Sequence, residues 1–366
     1  MRMDTGSYTM KALRTKYEDF ASPAFLIKMG SKTLDSTVCP IQDLEVELCA
    51  DGSAGGCRFT IDSEYDYEKS QWVGDLAKSV EVGAALEIQG GYVKKESIFY
   101  GYVDEYSVEY SGSEPPRISV AGVDGFGFLM NCQEPIYAGQ KKPRQIIEEI
   151  LSKATSAGFA KSVKVGAVDA VEVPPIKEQL DDFTYLKMLA ERYCMSLLCV
   201  NGELIFDNVM GSTSPMLTLS AVTDLRSFQK RMSLKGQVGQ VTVWGRDVNQ
   251  RFIKGTADKV SIGGSGKSVT QLAPKFAKAV RREYSEYVRT EQECTKLAQA
   301  RLDSLALELV SGGGSCLGIP ELIPGRYIRI EGLDGEAEGS FFMSKVRHHF
   351  DLDGYTTSFE IKGARG

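Results

Sequence analysis

Only two histidines occur, the neighbours His348 and His349, followed closely by Asp351 and Asp353. Such a group could hold a divalent metal, but adjacent side chains on a strand point to opposite faces, so both imidazoles cannot reach one ion. Asp353-Gly354 reads as a hairpin turn, and a calcium loop would need further oxygen ligands and a late Glu. Gly263-Gly264-Ser265-Gly266-Lys267-Ser268 resembles the second half of a phosphate-binding loop, where amides and a lysine cradle phosphate. The motif's first glycine falls on Ser261, and Val269, Thr270 and Pro274 suggest no helix to face a phosphate, so a surface loop is expected. Ser315-Cys316 offers a nucleophile, but no histidine or nucleophile elbow accompanies it. The preceding Ser311-Gly312-Gly313-Gly314 reads as a helix stop. Two carboxylate pairs, Asp181/Asp182 and Glu148/Glu149, could act as acid and base in a hydrolase. The first pair equally suits a helix N-terminus and the second a solvent-facing helix. The expectation is no catalytic, cofactor-binding or metal residue, and no enzyme.

Basic clusters at Lys141, Lys142 and Arg144 and at Arg281 and Arg282 read as solvated loop charge rather than a docking patch. Phe99, Tyr100, Tyr102, Tyr106 and Tyr110 read as an aromatic strand, half core and half interface.

The chain has 366 residues, 42% hydrophobic and 25% charged, which is more than one core accommodates, so at least two domains are expected. Forty-three Lys and Arg against 49 Asp and Glu leave a net charge of -6, the wrong sign for neutralising nucleic-acid phosphates. None of the eight cysteines forms a C-x-x-C pair, so they read as reduced packing residues. The polar, basic N-terminus and the lack of any 18-residue apolar run predict neither a signal peptide nor a membrane span.

Period-2 runs cut by Gly, Asp and Ser predict strands at 25–29, 44–49, 58–61, 86–89, 98–103, 106–110 and 118–121. The period then changes. Pro143 opens a helix with the stripe Ile146, Ile147, Ile150, Leu151 and Ala154, capped by Gly158, and a second helix starts at Asp181 or Asp182. Asn201-Gly202 marks a tight hairpin. Strands resume from Leu217, interrupted by one long helix that begins at the capping pair Thr290 and Glu293. Its stripe, Leu297, Ala298, Leu302, Leu305, Ala306 and Leu309, must be buried against a sheet.

One pattern occurs twice. Residues 82–90, with Gly83, Ile88 and Gly90, correspond to residues 324–332, with Gly325, Ile330 and Gly332. At the same offset Phe99-Tyr100 falls on Phe341-Phe342, and a hairpin follows in both copies, ending near Gly122 and Gly363. The fold expected is mainly β with an α+β insertion: two similar tube-like antiparallel β-barrel or sandwich domains, the second with a long helix packed on its sheet. The boundaries expected are an N-terminal arm at 1–20, a first β-domain at 21–130, an inserted α/β domain at 131–215, and a second β-domain at 216–366 with a helix at about 291–310. Three such chains would present six similar modules.

These segments, together with Ile118-Ser119-Val120-Ala121-Gly122-Val123-Asp124, residues 181–193, residues 290–302, Gly318-Ile319-Pro320 and Pro324-Gly325, resemble the baseplate hub proteins of contractile phage tails and related injection machines. These are the late control D proteins, similar also to the N-terminal part of type VI secretion spike proteins. The resemblance rests on the order and spacing of the segments and covers residues from about 20 to the end. It implies a homotrimeric, pseudo-sixfold ring that joins a hexameric tail tube to a threefold spike. Because no spike-type barrel or β-helix and no lysozyme-like or peptidase domain follows, it also implies a separate spike chain. The other implied partners are the remaining baseplate proteins and the tape measure, with no membrane and no specific nucleic acid, in a particle assembled in the cytoplasm. Inward-facing acidic residues would repel DNA. Two alternatives are weighed beside this, a cell-wall or polysaccharide hydrolase and a carbohydrate-binding β-module.

Overall fold

The computed structural model describes residues 6–366 except 38–40, 63–64, 74–79, 112–113, 136–141, 169–176, 178, 265 and 336. After helix α1 (Met10–Lys16) come β1 (Ala24–Met29), β2 (Lys32–Asp35), β3 (Ile41–Cys49), β4 (Gly56–Ile61), the short β5 (Tyr65–Asp66) and β6 (Gln71–Trp72), β7 (Ala85–Gly91), β8 (Lys95–Ser111) and β9 (Glu114–Val123). Helix α2 (Gly125–Met130) closes this part. The order β3-β4-β9-β8-β7-β1-β2 is antiparallel throughout. The alternation seen in the sequence is borne out: Leu86 and Ile88 on β7 and Leu44, Val46 and Leu48 on β3 are all buried in one core. Two of the expected strands, 98–103 and 106–110, are one 17-residue strand whose register shifts across Asp104. A β-bulge there interrupts the alternation that would have joined them.

A second core lies under α3 (Pro143–Ser156), β10 (Ser162–Val165), α4 (Asp182–Tyr193), β11 (Ser196–Val200) and β12 (Glu203–Asp207). The predicted stripe Ile146, Ile147, Ile150, Leu151 and Ala154 faces it. The hairpin turns at Asn201 (φ 51°) and Gly202 (φ 84°), the paired left-handed conformation that Asn-Gly favours.

The chain continues through β13 (Pro215–Ser220), β14 (Leu225–Met232), β15 (Gln240–Arg246), β16 (Phe252–Ala257), α5 (Val269–Leu272), β17 (Val280–Tyr284), α6 (Glu291–Ala306), β18 (Val310–Leu317), β19 (Tyr327–Glu331), β20 (Gly339–Asp351) and β21 (Gly354–Gly363). The long helix packs, as expected, on a sheet. That sheet is a separate one of three strands, β16-β15-β17, with its own core of Val241, Val243, Cys294, Ala298 and Leu302. The glycine run does not merely stop the helix. Gly312, Gly313 and Gly314 are inside β18, where a Cβ on Gly312 would lie 2.0 Å from the Gln229 carbonyl oxygen. Close approach of β14 therefore demands glycine at this position.

The strands around β18 run β14-β18-β21-β20-β19-β13, the same order as β3-β4-β9-β8-β7-β1. Within these six strands the pairing sense differs at one place: β1 pairs antiparallel with β7, whereas β13 pairs parallel with β19. Equivalent residues share equivalent backbone bonds. Gly83 N donates to Val103 O (2.7 Å) and Gly325 N to Met343 O (2.9 Å), while Val103 N donates to Ala84 O and Met343 N to Arg326 O. Both glycines adopt the left-handed conformation, φ 83° and 81°. This register corrects the constant-offset alignment by two residues. Phe341 and Phe342 correspond to Gly101 and Tyr102, not to Phe99 and Tyr100, because Leu86 pairs with Gly101 as Ile328 pairs with Phe341.

The modules join edge to edge. Residues 345–350 of β20 pair antiparallel with residues 49–44 of β3, making one 13-stranded sheet. Beneath the seam, Phe350 stacks on Tyr355 (3.9 Å) and meets Phe25 edge-on (5.1 Å). A Cβ on Gly90 would come within 2.8 Å of Phe350, so the small residue lets the modules close.

Candidate assembly interface

The seam between β3 and β20 shows what this architecture does with a strand edge. Val346, His348 and Phe350 alternate inward against Leu48, Val46 and Leu44, while Lys345, Arg347 and His349 line the other face opposite Glu47 and Glu45. Arg347 reaches Glu47 (2.5 Å) and Glu45 (3.2 Å), and Lys345 reaches Glu47 (3.0 Å). Burial alone would raise the Glu47 pKa, but hydrogen bonds from Arg347 and Lys345 outweigh it and hold the carboxyl below its usual range. The same bonds raise the pKa values of Lys345 and Arg347. Beneath them His348 is completely buried, its Nδ1 2.8 Å from the Tyr355 hydroxyl and 3.2 Å from Thr357 Oγ1.

Each module also has an edge with no backbone partner among the described residues. On β8 the pairing with β7 ends at Tyr102, and the outer half runs on bonded to β9 alone. Tyr106, Val108 and Tyr110, the counterparts of buried Val346, His348 and Phe350, are 45%, 39% and 61% exposed. On β14 the only strand partner is β18, and Met232 is 45% exposed. The aromatic strand is thus divided at its bulge: Phe99 and Tyr102 are core, whereas Tyr106 and Tyr110 face outward. An exposed strand edge with apolar side chains is a template for another chain.

The residues weighed for chemistry lie apart from these edges or are committed to structure. Asp181 caps α4, accepting from Thr184 N (2.7 Å), while Asp182 is buried against Lys177 and Lys153. Glu148 accepts from Arg144 within α3, and Glu149 follows it on the same helix. The Cys316 thiol is buried, which pushes its pKa up to about 12, and Ser315 Oγ bonds Ser227 Oγ. His349 lies half-exposed beside Asp351 and points away from His348, as expected from strand alternation. The β20–β21 turn lies one residue earlier than expected, at Leu352 and Asp353, with Gly354 opening β21. In the glycine-rich loop Lys267 exchanges backbone bonds with Gly366. A short helix, α5, does follow Ser268, contrary to the reading from Pro274, but it has only four residues. Lys141, Cys39 and Ser265 lie outside the described residues. Lys142 precedes α3, Arg281 pairs with Glu283 (2.6 Å), and Arg282 is exposed on β17. Among the described residues, no group of His, Cys, Asp or Glu is placed to hold a metal, and no helix is long and apolar enough to cross a membrane.

The strands β2, β10, β14, β16, β17 and β18 were not read from the sequence, and with β14 went the charges of the edges. Arg226, Lys230 and Arg231 lie on β14, and Asp104, Glu105 and Glu109 on outer β8. The available signal was a run of one sign at each edge, which acquires meaning only once the register is known.

A family model described as the Alg8 N-terminal domain matches residues 59–351. The chain belongs to this family. No curated protein matches it. Among solved structures, the 43 kDa tail protein of prophage MuSo2 from Shewanella oneidensis is 15% identical with a TM-score of 0.64, covering 93% of this chain and 98% of its own. A tail protein from Neisseria meningitidis MC58 is 14% identical with a TM-score of 0.67, covering 93% and 96%. An Escherichia coli component of the type VI secretion system, described as similar to the T4 bacteriophage tail proteins gp27 and gp5, is 12% identical with a TM-score of 0.54, covering 93% and 78%. This member of the family therefore has the fold of phage tail proteins over nearly its whole length, as the hub resemblance implied.

Proposed function

We propose that the chain is a structural baseplate hub of a contractile tail or injection machine. Three copies form a pseudo-sixfold ring that joins a hexameric tail tube to a threefold spike on a separate chain, beside other baseplate proteins and the tape measure. One observation carries this reading: two modules of the same strand order are already joined edge to edge inside the chain, and the strand stretches equivalent to that seam, outer β8 and β14, have no strand on that side among the described residues. In this reading residues 21–130 and 216–366 are the tube-like modules and residues 131–215 decorate the ring. The tail-protein fold supports a tail component. The work is geometric: the ring needs no cofactor, metal or bond-making residue, and it engages neither a membrane nor a specific nucleic acid. The particle is assembled in the cytoplasm.

As a hydrolase the chain would need two facing carboxylates; instead Asp181 caps a helix, Asp182 is buried between Lys177 and Lys153, and Glu148 pairs with Arg144 along its own helix. As a carbohydrate module it would need a flat aromatic shelf. Tyr65, Tyr67, Trp72 and Tyr110 meet edge to face at 75° to 82°, using their rings on one another. Sedimentation of the purified chain over a concentration series, with negative-stain microscopy, tests the ring. Expected are three chain masses and threefold particles. A monomer at every concentration, alone and with tube protein added, overturns the reading, as does clearing of purified cell walls by the chain alone.

A further inference from the structure

Resting on that ring reading, we propose that the outer half of β8 on one copy pairs antiparallel with β14 of the next copy in the register of the internal β3·β20 seam. The reversed charge of these two edges disfavours pairing β8 with β3, β20 with β14 or β8 with itself. Module equivalence transfers the seam residue by residue. With Val103 on Met343, the bulges at Asp104 and Ser344 bring Glu105 onto Lys345 and Tyr110 onto Phe350. On the facing strand, the pairings of β4 with β9 and of β18 with β21 put Gln229 at Glu45 and Arg231 at Glu47.

Carried across, Tyr106 faces Met232, Ser107 faces Arg231, Val108 faces Lys230, Glu109 faces Gln229 and Tyr110 faces Phe228, so Lys230 is the one charged residue in the row of Met232 and Phe228. Arg231 then sits diagonally between Glu105 and Glu109, within reach of a long side chain across a sheet. Inside the chain Arg347 likewise reaches both Glu45 and Glu47. Tyr106, Tyr110 and Met232 would be covered in the row where Val346, Phe350 and Leu48 are buried.

The signs are exchanged between the two seams. Inside the chain β20 is basic and β3 acidic, whereas of the open edges β8 is acidic and β14 basic. Pairing β8 with β3 would set Glu105 and Glu109 against Glu45 and Glu47. Pairing β20 with β14 would set Lys345 and Arg347 against Arg231, and β8 against itself would oppose its own carboxylates. Like charges across strands are destabilising, so each wrong pairing is penalised while the right one is favoured. The surviving contact is head-to-tail, the kind that closes into a ring instead of a two-fold dimer.

The test uses the full-length chain carrying Tyr106→Cys and Met232→Cys, oxidised and compared with wild type and with the off-register pair Tyr106→Cys and Arg231→Cys. Expected is a covalent ladder ending at three chains for the first pair alone. Glu105→Lys with Glu109→Lys should weaken assembly by more than about tenfold, and adding Arg231→Glu should restore it. A trimer by sedimentation that cross-links only off register, or that ignores the charge reversals, overturns this pairing and leaves the ring reading standing. A chain that never associates and never cross-links removes both.

Discussion

Residues 345–350 and 105–110 occupy the same place in two modules of the same strand order, yet one stretch is half-buried or buried throughout and the other is largely exposed. Up to Glu109 and His349 the local backbone does not account for this, since both stretches follow a bulge and pair with the next strand in the same register; a second shift follows on β8 at Tyr110. The difference is the presence of β3 on the other side. Exposure along a strand is thus a property of its neighbours more than of its own residues, and Tyr106, Val108 and Tyr110 are core-type residues awaiting a neighbour. The charge reversal teaches the complementary lesson: a duplicated module can tell its two seams apart without changing its fold.

The sharpest way to break this contrast is to truncate the same position in each module. Phe350 is buried in the seam against Tyr355 and Phe25, so Phe350→Ala should cost about 3–5 kcal/mol of stability in denaturant unfolding. Tyr110→Ala should cost the isolated chain only about 1 kcal/mol, because its ring is mostly in solvent and loses chiefly the edge-on contact with Tyr65, and should in addition weaken assembly. Equal losses at the two sites would mean that the outer half of β8 is already covered.

Next in size is a pH effect confined to the closed seam. Burial lowers the His348 pKa to about 4 from 6.5. Between those values the unfolded chain binds a proton that the folded chain refuses, so stability rises with pH there. It is complete above about 6.5 and lost as pH falls toward 4, a difference of roughly 3 kcal/mol when fully crossed. In His348→Gln that part of the pH–stability curve should flatten. Val108, the counterpart on the open edge, offers nothing to titrate.

Smaller is the expected effect of Gly83→Ala and Gly325→Ala. At φ near 80° an added Cβ costs about 1–2 kcal/mol in either module, and at Gly83 no neighbouring atom lies within 4 Å to complicate the reading. The thermal unfolding midpoints of both variants should therefore fall, by at least as much at Gly325, which is buried, as at exposed Gly83. A loss at one site alone would deny that the turns are equivalent.

Those glycines also show how much could be read from the chain directly. A residue that must adopt positive φ before a strand leaves its mark in residue type, which is why the repeat was visible at Gly83 and Gly325 although its second strand was aligned two residues out. Helix starts at Pro143, Asp181 and Thr290 were legible for the same local reason. What was not legible depends on approach by distant backbone. Gly312 reads as a helix breaker until Gln229 is known to lie against it, and β14, with one edge open, shows no burial alternation to betray it. The edges themselves were hidden further still, because Glu105 and Arg231 are ordinary surface charges until the β3·β20 seam supplies a register.

The smallest effect expected concerns the charges at the two seams. In the closed seam the Glu47 pKa is depressed by Arg347 and Lys345. Its contribution to stability is therefore full above the ordinary carboxylate range near about 4.3 and disappears as pH falls through the lower folded value. Glu47→Gln should shift the acid unfolding midpoint upward, modestly, since the pair is partly in water. Glu105→Gln should leave the midpoint of the unassembled chain where it is, because its proposed cation lies on another copy. In the assembled form the same substitution should matter, and sedimentation as a function of salt would reveal it. An exposed ion pair weakens with screening, so wild-type assembly should fall with added salt more steeply than that of Glu105→Gln.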